Sequence, residues 1–364
     1  MIEYRIGEDG IERPYYRSPA IVLLYLCIAI YTVCVGFFGK LAILPLLLLP
    51  LCAVGITCAV FMCRPRALYG ALPVLSVLGA FGIMIGRQIP WDQALCGALF
   101  AADFFVLGFI VAFCIKKRVS MAATVGWGAL FLIAEYFLYV MVVAAFDGFG
   151  FGFFSAVDWY LAAMKEFGDA LGEALKMLLA ESSAQELLAQ WKMTAEEFLT
   201  GQAEMLAEIV PLIPAAFGAV LLALVLFAVW FAYRLLKWIP LYRRVLEGKA
   251  LILHPIWGCA YLILWSFQFL IAGKTAFEIG WLSLYIGLMP LLGFVGLMAL
   301  FGQVRDESGR LRVYVLVALI LVGVSVLTVT WFFMIALPAL SVAGAWITVL
   351  RWVRARKMND TDRP

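Results

Sequence analysis

The sequence predicts an all-α fold: a polytopic helical membrane protein of about ten spans with an extracytoplasmic helical insert. Hydrophobic residues make up 65% of its 364 residues and charged residues only 14%, whereas soluble domains are about 45–50% apolar and about 25% charged. The apolar residues also form runs close to the ~20 residues that a helix needs to cross a hydrocarbon core about 30 Å thick. Lipid is therefore the expected solvent for most of the chain.

Nine apolar runs predict the spans, and the last run is long enough for two. Helices are expected because lipid cannot satisfy open backbone groups, and the runs lack the alternating period of barrel strands. The predicted spans before the insert are Ser18–Gly39, Leu41–Cys63, Ala67–Gly86, Gln93–Ile115 and Val119–Phe146, and the runs after it are Ile209–Tyr233, Leu251–Gly273, Ile279–Gly302 and Val313–Leu350.

The last run decides the span count. As one helix its 38 residues would be about 57 Å long, which is well beyond one bilayer. Two short spans with a turn near Thr330 to Met334 fit better. One span followed by a helix bent at Pro338 is the alternative, since proline removes a helix hydrogen bond, and it would give nine spans.

Basic residues favour ten spans, because cytoplasmic loops collect Lys and Arg. With a cytoplasmic N-terminus, 21 of the 27 basic residues fall in inner segments, whereas nine spans would place the basic C-terminus outside. We therefore predict a multi-pass protein of the bacterial cytoplasmic membrane with both termini cytoplasmic. Its segments are a cytoplasmic N-terminus (1–17), a five-span block (18–146), an acidic insert (147–208), a block of four or five spans (209–350) and a basic cytoplasmic tail (351–364).

The insert is expected to be helical and acidic. Between Ser155 and Glu208, ten acids and three bases give a net charge of −7. Apolar residues from Tyr160 to Leu178 recur at spacings of three and four, which indicates one helix face. The pairs Ser183 with Glu186 and Thr194 with Glu197 match the capping-box pattern of helix starts. Two or three helices are predicted, acting either as a lid or docking surface or as a solvated amphipathic excursion.

Two acids inside otherwise uncharged spans are the candidate binding residues. Asp103 lies in the fourth span and Glu135 in the fifth, each about 15 Å from the outer end of its helix. A charged carboxylate at this depth is costly and usually faces a bundle interior, a cavity or a partner. The pair either holds protons and bonds between helices, or lines a wet site that binds a cation or a polar solute. Gln268 is a secondary polar candidate, more typical of a bond between helices.

Other motifs give no sign of catalysis. The chain has no P-loop, dinucleotide-binding glycine motif, HExxH or GxSxG sequence, so we predict no enzyme activity, no catalytic residue, no metal site and no cofactor, and expect no nucleic-acid partner. The cysteines are expected to be apolar fillers with free thiols. His254 is expected at the membrane interface or a helix start. Small residues should let neighbouring helices approach closely. The residues expected to do so are Gly79, Gly82, Gly86, Gly97 and Gly108.

Several segments carry a resemblance to a known family. They are Arg64-Pro65-Arg66, GFIVAFCIKKRVS at Gly108 to Ser120, IVPLIP at Ile209 to Pro214, YRLLKWIPLYRRVL at Tyr233 to Leu246, and HPIW at His254 to Trp257. In these segments and in the order of its spans, the chain resembles the YybS-like bacterial integral membrane family, whose N-terminal part is similar to the S components of energy-coupling-factor vitamin transporters. The resemblance covers most of the chain. It implies solute binding, with an external ATPase module as the energy source.

Two classes of function follow. The first is a membrane protein that binds or transports a small-molecule or cation solute, with its site near Asp103 and Glu135. The second is a non-transporting cell-envelope membrane protein that binds a protein partner through its insert or basic loops. The lipid bilayer is a partner in both. The solute, the energy source and the oligomeric state are not encoded in any motif.

Overall fold

The structure is a computed structural model, and it describes most of the chain. The described residues are 2–6, 12–16, 18–39, 43–62, 66–180, 190, 194–237, 251–271, 275–302 and 335–361. The predicted turn near Thr330 to Met334 and the predicted helix start at Ser183 lie outside them.

The described chain is helical apart from a short N-terminal hairpin. Strands β1 (Ile2–Ile6) and β2 (Glu12–Tyr16) pair antiparallel, with Ile2 opposite Tyr16. The helices are α1 Ser18–Phe38, α2 Ile43–Met62, α3 Arg66–Gly86, α4 Trp91–Leu99, α5 Asp103–Lys116, α6 Met121–Phe146, α7 Phe153–Leu179, α8 Ala195–Ile209, α9 Ile213–Lys237, α10 Pro255–Phe267, α11 Ala276–Gly302 and α12 Leu337–Thr361.

Most helices outside the insert follow the predicted apolar runs to within a few residues, and several are long and apolar enough for lipid. Five stretches of the described chain are long and apolar enough to cross a membrane: Leu44–Phe61, Trp91–Lys116, Met121–Phe146, Ala195–Lys237 and Phe277–Phe301. Shorter apolar helices lie at Tyr25–Phe38, Ala71–Gly86 and Pro255–Phe267. The helical part of the prediction is thereby confirmed for the described residues, and the candidate spans are consistent with a multi-pass membrane protein.

The chain divides into two compact units, each made of segments from both sides of the insert. The first unit comprises Met1–Ala134, Val220–Gly258 and Pro290–Pro364, and the second comprises Glu135–Ala219 and Cys259–Met289. Within the first unit α2 packs against α5, and α1 packs against both α2 and α3.

Close helix approach in the first unit depends on glycine. A methyl group added at Gly108 of α5 would lie 2.6 Å from the carbonyl oxygen of Ala53 in α2. The neighbouring Thr57 hydroxyl donates to the carbonyl oxygens of both Ala53, at 2.9 Å, and Gly108, at 3.0 Å. The predicted role of Gly108 is confirmed, whereas Gly82 and Gly86 face open space, so the same prediction was wrong for them.

Helices α11 and α12 approach even more closely. A methyl group at Gly344 would overlap the backbone carbonyl of Leu292, and one at Gly296 would overlap the carbonyl of Leu340. The two helices therefore pack backbone against backbone, as small residues allow in membrane proteins, where no hydrophobic force drives helices together.

The insert forms two described helices in the second unit, as predicted. Helix α7 packs against α8, and the Tyr160 hydroxyl donates to the carbonyl oxygen of Val210 at 2.6 Å. Burial raises the pKa of Tyr160, so this hydroxyl keeps the proton that the bond needs. The indole N–H of Trp159 donates to Asp147 at 2.6 Å. These bonds hold α7 both at the turn that precedes it and at the 3₁₀ turn, Val210–Leu212, that follows α8.

The predicted capping box at Thr194 is confirmed. The Thr194 hydroxyl accepts from the Glu197 N–H at 3.2 Å, and the Glu197 carboxylate accepts from the Thr194 N–H at 2.8 Å. The backbone and hydroxyl of Thr194 hold the pKa of Glu197 below its usual value. Since α8 exposes its charged residues, the apolar crossing within Ala195–Lys237 is α9.

We predict that Gly344→Ala destabilises the protein by about 1–3 kcal/mol, because the added methyl group forces apart two packed backbones. The measurement is the thermal unfolding midpoint of the detergent-purified protein. Gly287→Ala, a matched change in α11 that meets no atom within 4 Å, should be neutral or slightly stabilising. Equal effects of the two changes would contradict the packing.

We also predict that Thr194→Ala frays the first turn of α8, since losing such an N-cap costs about 1 kcal/mol. Hydrogen-exchange mass spectrometry should show faster amide exchange at residues 195–198. Thr200→Ala, on the same helix but away from the cap, is the control.

The capping box should also be sensitive to pH. A lowered folded-state pKa means that Glu197 stabilises the turn fully above the unfolded pKa of about 4.3 and loses this effect as pH falls through the folded value. The rate of amide hydrogen exchange at residues 195–198, corrected for its intrinsic pH dependence, should therefore rise below about pH 4 in the wild type. The Thr194→Ala variant should show much less of this rise, and an equal rise would count against the cap.

Candidate solute site at the break in the fourth span

The predicted fourth span is interrupted next to its acidic residue. Helix α4 ends at Leu99, a 3₁₀ turn follows at Phe100–Ala102, and α5 begins at Asp103. The sequence predicts one continuous span here and contains neither glycine nor proline in the turn. The break therefore needs a tertiary cause.

That cause is a serine from a neighbouring helix. The Ser76 hydroxyl of α3 donates to the carbonyl oxygen of Ala101 at 2.9 Å, and a side chain that bonds into the helical ladder is a recognised origin of kinks. Thr32 of α1 lies 2.7 Å from Ser76 and donates to the Ile28 carbonyl at 2.8 Å. Each hydroxyl has one proton, so two protons are shared among these three contacts.

Asp103 lies immediately after this network. It is 4% exposed, and in the described part of the chain it is the one acidic or basic side chain that is buried. Its Oδ2 atom is shielded from solvent. The next residue, Phe104, is fully buried and its ring meets that of Tyr31 edge-on at 5.6 Å. Asp103 occupies the first turn of α5.

Glu135 is also shielded, but in a different setting. It lies on α6 in the second unit, with both carboxyl oxygens inaccessible to solvent. Asp103 belongs to the first unit, so the predicted placement of the two acids at one depth stays a prediction. Beside Glu135, the Tyr136 ring meets Phe217 edge-on at 5.3 Å.

Gln268 and His254 are placed at helix ends. Gln268 is half-buried at the start of a 3₁₀ turn, Gln268–Leu270, that follows α10. His254 is exposed before α10, and its Nδ1 accepts from the Ile256 N–H at 3.4 Å. The predicted helix-start role of His254 is thus confirmed.

A separate cavity of about 250 Å³ lies in the first unit. It is lined by basic and apolar residues of several helices: Met121, Trp230, Tyr233, Arg234, Lys237, Leu251, Phe294, Val295, Met298 and Arg351. In the sequence its three cations only indicate how the spans are oriented. Arg351 lies far along the chain from Arg234 and Lys237, so nothing in the sequence shows that they converge.

The sequence also did not indicate a role for Thr32 or Ser76. Both are small hydroxyl residues within long apolar runs, where a bond within the same helix is the ordinary expectation. The one local sign that a helix could begin at this point was Asp103 itself, because acidic residues are enriched in the first turn of helices. Among the described residues, no group of His, Cys, Asp and Glu is arranged to hold a metal ion.

Comparison of the chain with protein-family models, with curated proteins and with solved structures gives no match. The resemblance to the YybS-like family therefore stays a prediction, and the functional argument depends on the geometry of the site.

Proposed function

We propose that this protein is an integral membrane protein that binds, and by extension transports, a small cationic solute at the break in the fourth span. The observation that carries the proposal is Asp103, a buried carboxyl group beside an interrupted membrane helix. An aspartate at a helix centre costs about 2.5–3.5 kcal/mol for membrane insertion. A bound cation would offset this cost.

The break supplies the other groups that such a site needs. Interrupted helices of transporters present carbonyl oxygens and helix ends to ions near the membrane midplane. Here α4 ends in a 3₁₀ turn, which frees carbonyl oxygens from the regular helical ladder, and Ser76 and Thr32 add hydroxyl oxygens. Oxygen atoms are the ligands that hard cations prefer. Glu135, which belongs to the second unit, is kept as a separate candidate carboxyl group.

We further propose ten spans, an extracytoplasmic insert and cytoplasmic termini. Gly293 lies against Leu337, while Met298 and the later Arg351 line one cavity, so α11 and α12 advance toward the same end. Two spans that run in the same direction must be separated by an odd number of membrane crossings. The shared direction of α11 and α12 therefore supports the count of ten spans. The shared cavity also gathers Arg234 and Arg351, which the positive-inside rule assigns to the cytoplasm.

The resemblance to S components adds a partner to the proposal. Such a protein would take its energy from an external ATPase module, because its own chain carries no nucleotide-binding motif. Co-purification of an ATPase with the full-length chain would support this part.

A second candidate is partner binding by the insert. Helix α7 exposes large apolar side chains, among them Phe154, which is 80% exposed, and Met177, which is 72% exposed. Scattered apolar residues are normal at surfaces, but several along one helix of a charged insert fit a docking surface for an envelope protein.

We predict that Asp103→Asn abolishes stabilisation by the bound cation. Wild-type protein in detergent should unfold at a higher temperature with one of Na⁺, K⁺, Mg²⁺ or choline at constant ionic strength. A ligand at a hundred times its Kd stabilises by about 2.7 kcal/mol. Asp92→Asn, the same change in the first turn of α4, is the matched control and should keep the response.

Two outcomes would contradict the site: no cation stabilises the wild type, or Asp103→Asn responds as the wild type does. Glu135→Gln in the same assay tests the second carboxyl group. Loss of the response there would show that cation binding also needs the Glu135 carboxyl group, and retention would show that it does not.

For the second candidate, deletion of Ser155 to Glu208 should abolish co-purification of an envelope protein while the membrane helices remain folded. Monodisperse elution of the deleted protein is the folding control. Unchanged co-purification would exclude the insert as the docking surface.

A further inference from the structure

We propose that the cavity lined by Arg234, Lys237 and Arg351, here named the basic cavity, binds a phosphate group. The source is either the headgroup of an anionic phospholipid or free phosphate. The proposal is independent of the site at Asp103, because that residue does not line the basic cavity.

The cations come from two different helices. Arg234 and Lys237 occupy the last turn of α9, where basic residues offset the helix dipole. That explanation does not extend to Arg351, which comes from α12. Three positive charges around about 250 Å³ repel one another, and no carboxylate lines the cavity among the residues that the structure describes. An anion would remove this repulsion.

Their chemistry selects phosphate. Two guanidinium groups can each donate two parallel hydrogen bonds to phosphate oxygens, and a lysine adds a compact positive charge. A carboxylate carries one negative charge and two oxygens, so it would leave more of the cationic charge uncompensated. The three cations together suit a group with several equivalent oxygens.

The size and walls of the basic cavity suit a headgroup. Cavities for drug-sized ligands are about 300–1,000 Å³, so about 250 Å³ holds only a small group. Apolar side chains complete the lining, and the ring of Trp230 meets that of Phe294 edge-on at 6.1 Å. Such a wall can cover the glycerol or upper acyl part of a lipid while the cations hold its phosphate.

The location also suits a lipid. The basic cavity is lined by Met121 at the start of α6, by Lys237 at the end of α9 and by Leu251 just before α10. Helix ends lie near the headgroup level, and basic pockets between membrane helices at the cytoplasmic side recognise anionic headgroups. Both Arg234 and Arg351 are exposed, so the cavity is open to an entering group.

The test measures thermal unfolding of the full-length protein in a neutral detergent, in two arms. One arm adds phosphatidylglycerol, with phosphatidylcholine as the uncharged comparison. The other adds sodium phosphate, with sodium chloride at equal ionic strength. The variants are Arg351→Gln, and Arg234→Gln combined with Lys237→Gln. Arg354→Gln is the matched control, since Arg354 lies on α12 but does not line the basic cavity.

We expect phosphatidylglycerol or phosphate to raise the unfolding temperature of both the wild type and Arg354→Gln. Arg351→Gln should weaken binding of the same ligand about tenfold or more, because hydrogen bonds to a charged group are lost. A response to phosphatidylglycerol alone identifies a lipid headgroup, and a response to phosphate identifies a soluble ligand. Native mass spectrometry of retained phospholipid gives a second readout that does not depend on variant stability. A wild type that responds to neither arm, or no better than to chloride, would overturn the proposal, as would equal weakening in Arg354→Gln.

Discussion

The cost of an unsatisfied polar group in hydrocarbon governs this structure. Helices satisfy the backbone internally, and hydroxyl residues follow the same rule: Thr57 bonds to Ala53 and Thr348 to Gly344, each four residues earlier in its own helix. Two of the described serine and threonine hydroxyl groups also bond to the backbone of another helix, Thr57 to the Gly108 carbonyl and Ser76 to the Ala101 carbonyl. The predicted fourth span is interrupted at Ala101, and the acid that follows, Asp103, is the buried acidic residue of the described chain.

Packing in lipid explains why the break can persist. Because lipid tails are as apolar as the side chains, helices associate through close contact rather than through the hydrophobic effect. Gly108 brings α5 against α2 just beyond the break, and Thr57 bonds across the same contact. The half of the span that begins with Asp103 is thereby fixed to a neighbour. A carboxyl group on a fixed helix start is better prepared to hold a ligand than one on a mobile loop.

Much of the fold could be predicted from the sequence, because it follows from local patterns. Run length and composition predicted the helices, the spacing from Thr194 to Glu197 predicted a helix start, and an acid in an apolar run marked Asp103. The break at Phe100–Ala102 could not be predicted, since these residues favour helix and its cause lies on α3. The basic cavity was hidden because Arg234 and Arg351 meet only after folding. The positions of the glycines in the sequence did not show that Gly108 lies at a close helix contact whereas Gly82 faces open space.

The central claim is that the break beside Asp103 is a wet, ligand-binding point in the membrane domain. The most direct measurement is a cryo-electron microscopy map of the protein in lipid nanodiscs, at a resolution that shows ordered water. The account predicts water or solute density within hydrogen-bonding distance of the Asp103 carboxyl group, with Ser76 bonded to the broken turn. A dry, closely packed interior around Asp103 would contradict it and leave the carboxyl group only a structural role.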